Sequence, residues 1–382
     1  MKKTCRLRHG LAGAVLAAAF LGAGMAPAEA RTKLAALPER EAVTIRLDNP
    51  EATLVEEERV LALREGDNLV DFSWRGVQID PDSIRLAMLG KPGAATLLSV
   101  AYPPQEAALV WKIHARAAGE EKVRISYLLS RIDRLITYRA VASREEKTLD
   151  LEGFLVVRNF SGEDFPAADL CLQEGRPYAG RVGHEETRQV SFLAARNIPV
   201  RKTFTWDAAT LPWEPKRLNV NVGIPVHYEI ENGKAAGLGK AVLWGGKVRV
   251  FQDDGRGGTL FLGEDRVSST PVAETMRVHI GESRDVAVTQ VKTRERAFNH
   301  RPSKFKAALY DQEEILEARV ENFKDQAVTV DLVQHIPGEW KMLEASLPYE
   351  RKNAETVIFA VPVAGKGSRT LSFRYERYNI RP

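Results

Sequence analysis

Asp311-Gln312-Glu313-Glu314-Ile315-Leu316-Glu317-Ala318-Arg319-Val320-Glu321 is the stretch on which the fold turns, because it supports two readings. Its residues are good helix formers, so propensity alone reads a helix. Yet Leu316, Ala318 and Val320 alternate with Glu317, Arg319 and Glu321, which is the two-residue period of a half-buried strand. A strand here also explains Asn322–Gln326 as a turn into the next alternating run, Ala327–Val333. Propensity is a weak prior that sheet packing overrides, so the segment reads as strand.

The same period recurs outward from it. Val328-Thr329-Val330-Asp331-Leu332, Leu371-Ser372-Phe373-Arg374-Tyr375, Val248–Phe251, Val286–Thr289 and Ile125–Leu128 all alternate, while three-to-four spacing is scarce. Turn residues fall between these runs. Gln252-Asp253-Asp254-Gly255-Arg256-Gly257-Gly258 separates Val248–Phe251 from Thr259–Leu262, as a hairpin loop does. Arg158–Asp164 and Glu231-Asn232-Gly233-Lys234 punctuate two further runs. The expected fold is all-β, with consecutive antiparallel β-sandwich domains. Boundaries are expected to give a leader at 1–30, a first β domain at 31–130, a central one at 131–300 and a C-terminal sandwich at 301–382. The last is immunoglobulin-like in size.

The chain has 382 residues, and 44% of them are hydrophobic, which is enough for a core and too much for a disordered chain. Its net charge of +4 is largely local: Lys2, Lys3, Arg6 and Arg8 against Glu29 put +3 in the first 30 residues. The remainder carries only +1, which argues against a binder that tracks nucleic-acid phosphates. Basic residues 2–8, the apolar stretch Leu11–Met25 and Ala28-Glu29-Ala30 form a secretory signal cut after Ala30. The expected location is therefore periplasmic or extracellular, with no transmembrane segment in the mature chain. Cys5 leaves with the leader, so Cys171 stands alone, without a disulfide, and reads as a buried strand residue.

Chemistry-bearing motifs fail on inspection. His184-Glu185-Glu186 opens like a zinc-protease helix, but Arg188 occupies the position of the second ligand. His114, His227, His279, His300 and His335 have no paired spacing, so neither a metal nor a cofactor is read. Gly255–Gly258 lacks the Lys-Ser/Thr ending of a phosphate loop. Glu120-Glu121, Glu145-Glu146 and Glu313-Glu314 are adjacent, so on strands they point to opposite faces and read as solvated surface. No catalytic residue is nominated. Two loop-borne groups are nominated for binding: His335, Glu339 and Trp340 in His335-Ile336-Pro337-Gly338-Glu339-Trp340, and Glu264 and Arg266 in Leu262–Arg266.

Taken in order, several stretches resemble the bacterial domain-of-unknown-function 4139 family, the mucoidy inhibitor A-like proteins. They are Arg59–Leu63, Gly66–Phe72 with Ile79–Ile84, Lys147–Phe154 with Val157–Gly162, Val248–Phe251 leading to Leu262–Arg266, and His335–Trp340. The likeness is to the short form: longer relatives carry a coiled coil that this chain lacks. Where relatives show an aromatic-rich strand after Ile125–Leu128, this chain has Ser130–Leu135. The resemblance implies an exported, mostly β, envelope-associated protein and supplies no catalytic residues. The expected function is a non-catalytic binding or scaffold protein contacting an envelope protein or a glycan. The alternatives are a hydrolase of envelope polysaccharide and a self-assembling structural module.

Overall fold

The computed structural model describes residues 37–49, 51–172, 177–216, 222–302 and 308–381. The leader and its cleavage point after Ala30 lie outside the described residues. In the first third the strands are β1 (Ala42–Arg46), β2 (Thr53–Leu63), β3 (Gly66–Ser73), β4 (Arg85–Met88), β5 (Ala95–Ala101), β6 (Ala108–Ala115) and β7 (Gly119–Leu129). Then come β8 (Ile132–Ala142), β9 (Thr148–Asn159), β10 (Phe165–Cys171), β11 (Tyr178–Val182), β12 (Glu186–Pro199), β13 (Arg201–Asp207), β14 (Ile224–Glu231), β15 (Gly246–Asp253), β16 (Thr259–Val267) and β17 (Thr275–Ser283). The last are β18 (Val286–Pro302), β19 (Ala308–Asn322), β20 (Val328–His335), β21 (Glu339–Ala345), β22 (Tyr349–Arg351), β23 (Thr356–Val363) and β24 (Ser368–Ile380). Two single 3-10 turns are the only helical elements among the described residues, so the protein is all-β.

The chain divides into two compact units. One takes in Arg59–Arg75 and Leu86–Arg124; its centre is the three-stranded sheet β3-β6-β5. Alternation in β6 buries Trp111 and Ile113, and Phe72 lies 5.4 Å from Trp111, ring centre to ring centre.

The other unit comprises Glu41–Glu58, Gly76–Arg85 and Ile125–Pro382. It contains the five-stranded sheet β12-β9-β8-β15-β16 and a sandwich of two further sheets, β17-β14-β13-β20-β23-β22 and β18-β19-β24-β21. Phe359 of β23 stacks on Phe373 of β24 at 4.9 Å, sealing the two sandwich layers. β19 settles the competition posed by its sequence. Leu316, Ala318 and Val320 are all 0% exposed on the inner face. Burying Leu316 and Val320 contributes roughly 1.5–3 kcal/mol each, against propensity differences of up to about 0.7 kcal/mol per residue.

Most of the described pairings are antiparallel, but β1 with β10, β8 with β15, and β13 with β20 run parallel. The expected hairpin between β15 and β16 is present. Gly255 and Gly257 take φ of 72° and 85°, and Asp254 Oδ1 accepts from the Arg256 and Gly258 amides at 2.8 and 2.9 Å.

Two strand ends share a device built on Asn-Phe. Asn322 ends β19; its amide donates to Gln326 O and Ala364 O at 2.8 and 3.0 Å and its oxygen accepts from Lys324 N at 3.0 Å. Asn159 ends β9 and repeats the pattern with Glu163 O, Val182 O and Ser161 N at 2.7, 3.3 and 3.1 Å. Both side chains are buried, so each satisfies backbone groups that the ending ladder leaves open.

Two expectations need correction. Glu313 and Glu314 do face opposite ways, but they are 6% and 5% exposed and not solvated. Arg374 covers Glu313 at 2.6 Å; Tyr375 donates to Glu314 at 2.8 Å, with Lys292 at 3.1 Å. Long partner side chains from β18 and β24 supply both the burial and the pairing that a buried carboxylate needs. Glu121 is buried likewise, accepting from Gly90 N at 2.9 Å. Cys171, at the end of β10, is half-buried and not fully enclosed; burial still pushes its thiol pKa up.

Candidate functional site, an apolar cleft in the sandwich

A cleft of about 360 Å³ opens in the sandwich. Its walls come from both layers: Trp206 of β13 and Ile224 of β14 on one side, Ala287 and Val288 of β18 on the other. Leu211, Pro212 and Pro215 of the β13–β14 connection lie over it, and Phe323, 51% exposed, stands at its border.

Local chemistry fixes these walls. Asp207 ends β13 and turns the chain: its carboxylate accepts from Ala209 N at 2.8 Å and its carbonyl from Leu211 N at 2.9 Å. Trp213 then ties the connection down, donating to Ala208 O at 2.9 Å and accepting from Gln290 N of β18 at 2.7 Å. Gly223 also lines the cleft, and a Cβ there would lie 2.8 Å from the Glu282 side chain, so only glycine lets β14 begin so close to β17. The result is a slot lined mostly by apolar side chains, of the size that small-molecule sites have. Two cations border it. Lys216 is held by Glu321, whereas the Arg284 guanidinium has no ion-pair partner among the described residues.

The five residues nominated from sequence lie elsewhere. His335 and Trp340 lie by the loop between β22 and β23, and Glu339 pairs with β24. Trp340 donates its indole N–H to Ala354 O at 2.7 Å, under the Arg351 guanidinium at 4.6 Å from the ring centre. Glu339 accepts from Asn379 at 3.1 Å. His335 joins Asp207 through Nε2 at 2.9 Å and Thr356 Oγ1 through Nδ1 at 3.3 Å. A hydroxyl–imidazole–carboxylate chain has the parts of a nucleophile relay, but Thr356 is 7% exposed. The nearby Ile336 and Gly338 amides are both engaged by Glu355, so they do not offer an oxyanion hole. The chain instead pins three strand ends together.

Glu264 and Arg266 sit on β16, and no hydrogen bond or ion pair joins them to the first group among the described residues. Lys247 at 2.6 Å, followed by Arg249 at 2.8 Å, holds the Glu264 carboxyl below its ordinary pKa. Arg266 borders two further hollows.

Histidines without paired spacing do meet in space. His227 and His279 face each other across β14 and β17, ring centres 5.3 Å apart. Arg277 donates to His227 Nδ1 at 3.3 Å, and Asp265 accepts from His279 N at 2.7 Å. Burial first, then Arg277 and His279, lowers the His227 pKa to about 4. Among the described residues no three His, Cys, Asp or Glu side chains group as metal ligands would.

None of the cleft residues was nominated from sequence. The one linear signal is Leu211-Pro212-Trp213-Glu214-Pro215, a rigid aromatic connection between two strands. Compared with known proteins, the chain matches no family model and no curated protein sequence.

Proposed function

We propose that this is an exported, non-catalytic binding protein of the bacterial cell envelope, and that it holds a small apolar ligand in the cleft between the sandwich layers. The observation that carries the proposal is the cleft itself: walls from β13, β14 and β18, with Leu211 and Pro212 over them on a stretch that hydrogen bonds at Ala209, Leu211 and Trp213 fix in place. A preformed slot binds without the cost of ordering its own walls. The basic-apolar leader in residues 2–25 supports export, as does the likeness to the domain-of-unknown-function 4139 family, whose members are envelope-associated. Among the described residues no helix is long and apolar enough to cross a membrane.

The test is a fluorescence titration of the purified protein with a neutral naphthylamine probe that brightens in apolar surroundings. Saturable binding of one probe per chain is expected, with quenching of Trp206 emission. Ala287→Trp fills the slot and abolishes binding while leaving the urea midpoint in place. Absence of saturable binding to the parent protein refutes the proposal.

A further inference from the structure

Resting on that reading of the cleft, we infer that its occupant is a single-chain amphiphile with an acidic head, whose acyl chain lies between the sandwich layers and whose head pairs with Arg284. The slot runs between apolar side chains, Trp206, Ile224, Val288 and Phe323 among them, and its charged groups stand at one border. At its border stand two cations with different employment. Lys216 is neutralised by Glu321 on β19. Arg284, in the turn between β17 and β18, has no such partner among the described residues: the neighbouring Asp285 is taken by Lys324 at 3.4 Å, and Glu321 is shared between Lys216 and Arg319. Glu282, two residues before Arg284, lies against Gly223.

An exposed arginine beside an apolar slot is the arrangement that an amphiphile completes. Its chain removes apolar wall from water, and its head meets a planar fork of N–H donors suited to carboxylate or phosphate oxygens. The aromatic ring of Phe323, exposed at the same border, would cover the part of the chain nearest the head. A neutral chain of equal length keeps the first contribution and loses the second, so discrimination between acidic and neutral amphiphiles measures Arg284 directly. A charge-assisted contact of this kind corresponds to about a tenfold preference or more.

The experiment displaces the neutral naphthylamine probe with dodecanoate, dodecyl phosphate and dodecanol, each below its aggregation concentration. The parent protein is expected to bind at least one acidic amphiphile about tenfold more tightly than dodecanol. Arg284→Gln should remove that preference and leave dodecanol unchanged, while Arg256→Gln, an exposed cation in the β15–β16 loop, leaves the preference intact. Rising salt should shrink it in parallel. Dodecanoate and dodecyl phosphate separate the two possible heads. Equal binding of acidic and neutral chains by the parent protein overturns the inference and leaves the apolar cleft standing. A preference that survives Arg284→Gln also overturns it. Failure of the probe and of all three chains to bind removes the cleft reading itself.

Discussion

Replacing Asn322 with alanine tests whether the strand ends hold the sandwich together. Asn322 is 1% exposed and makes three hydrogen bonds to backbone groups, two as donor to Gln326 O and Ala364 O and one as acceptor from Lys324 N. A typical hydrogen bond contributes about 0.5–1.5 kcal/mol net, and a buried group left without a partner costs about 1–3 kcal/mol. Gln326 and Ala364 are exposed residues, so water can reach part of what is vacated, and the loss centres on roughly 2–4 kcal/mol. Urea unfolding followed by far-ultraviolet circular dichroism should show this as a lower midpoint with an unchanged slope. In a unit of this size each kcal/mol shifts the thermal midpoint by about 2–4 °C. Asn322→Asp is the sharper variant. It keeps an acceptor for Lys324 N but sets a carboxylate against two carbonyl oxygens, so it should lose at least as much at neutral pH and recover as pH falls. Phe323→Ala, which removes an exposed ring and none of these bonds, is the control. The reasoning fails if Asn322→Ala loses less than about 0.5 kcal/mol, or no more than Phe323→Ala. Asn159→Ala, with the matched set of contacts, should behave alike.

Three further outcomes follow from the same geometry. His227 has a folded pKa of about 4 against an ordinary 6.5, so the neutral ring is the form that folding favours. Stability is then fully present above pH 6.5 and lost as pH falls toward 4; His227→Gln should shrink that acid-side loss by roughly 1–2 kcal/mol, a figure reduced for solvent screening of a half-exposed ring. Trp340→Ala removes the bond to Ala354 and the contact under Arg351, and calorimetry should register about 1–2 kcal/mol of destabilisation. An undiminished melting temperature would show that the ring merely rests on the loop. Cys171, its thiol pKa raised by burial, should react with a disulfide reagent more slowly than free cysteine at pH 8 and match it once urea unfolds the protein. Equal rates in the folded state would contradict the half-buried placement.

Alternation made the strands legible because it reports burial on one face. Val328–Leu332 lies in β20, Leu371–Tyr375 in β24, Val248–Phe251 in β15, and the ambiguous 311–321 stretch in β19. It does not report partners, which is why the parallel pairings of β1 with β10, β8 with β15 and β13 with β20 could not be foreseen. Nor does it distinguish a charged residue in water from one lying under its counter-ion. Glu313 and Glu314 read as surface because Arg374 and Tyr375, which bury them, sit far along the chain. The cleft was hidden for a related reason. Trp206, Ile224 and Val288 are ordinary core residues in a linear reading, and only the way the two layers and the Leu211–Pro215 connection meet leaves a gap between them.

The adjacency of β13 and β20 bears on how the molecule comes into being. Phe204 lies beside Val330, so the edge of β13 stays bare until the final third of the chain has been made. Long-range parallel pairing is slow to close and leaves intermediates prone to sticking. During that interval a holding chaperone would find its natural target in β13, and a truncation that removes 328–335 should yield inclusion bodies in place of a shorter soluble protein.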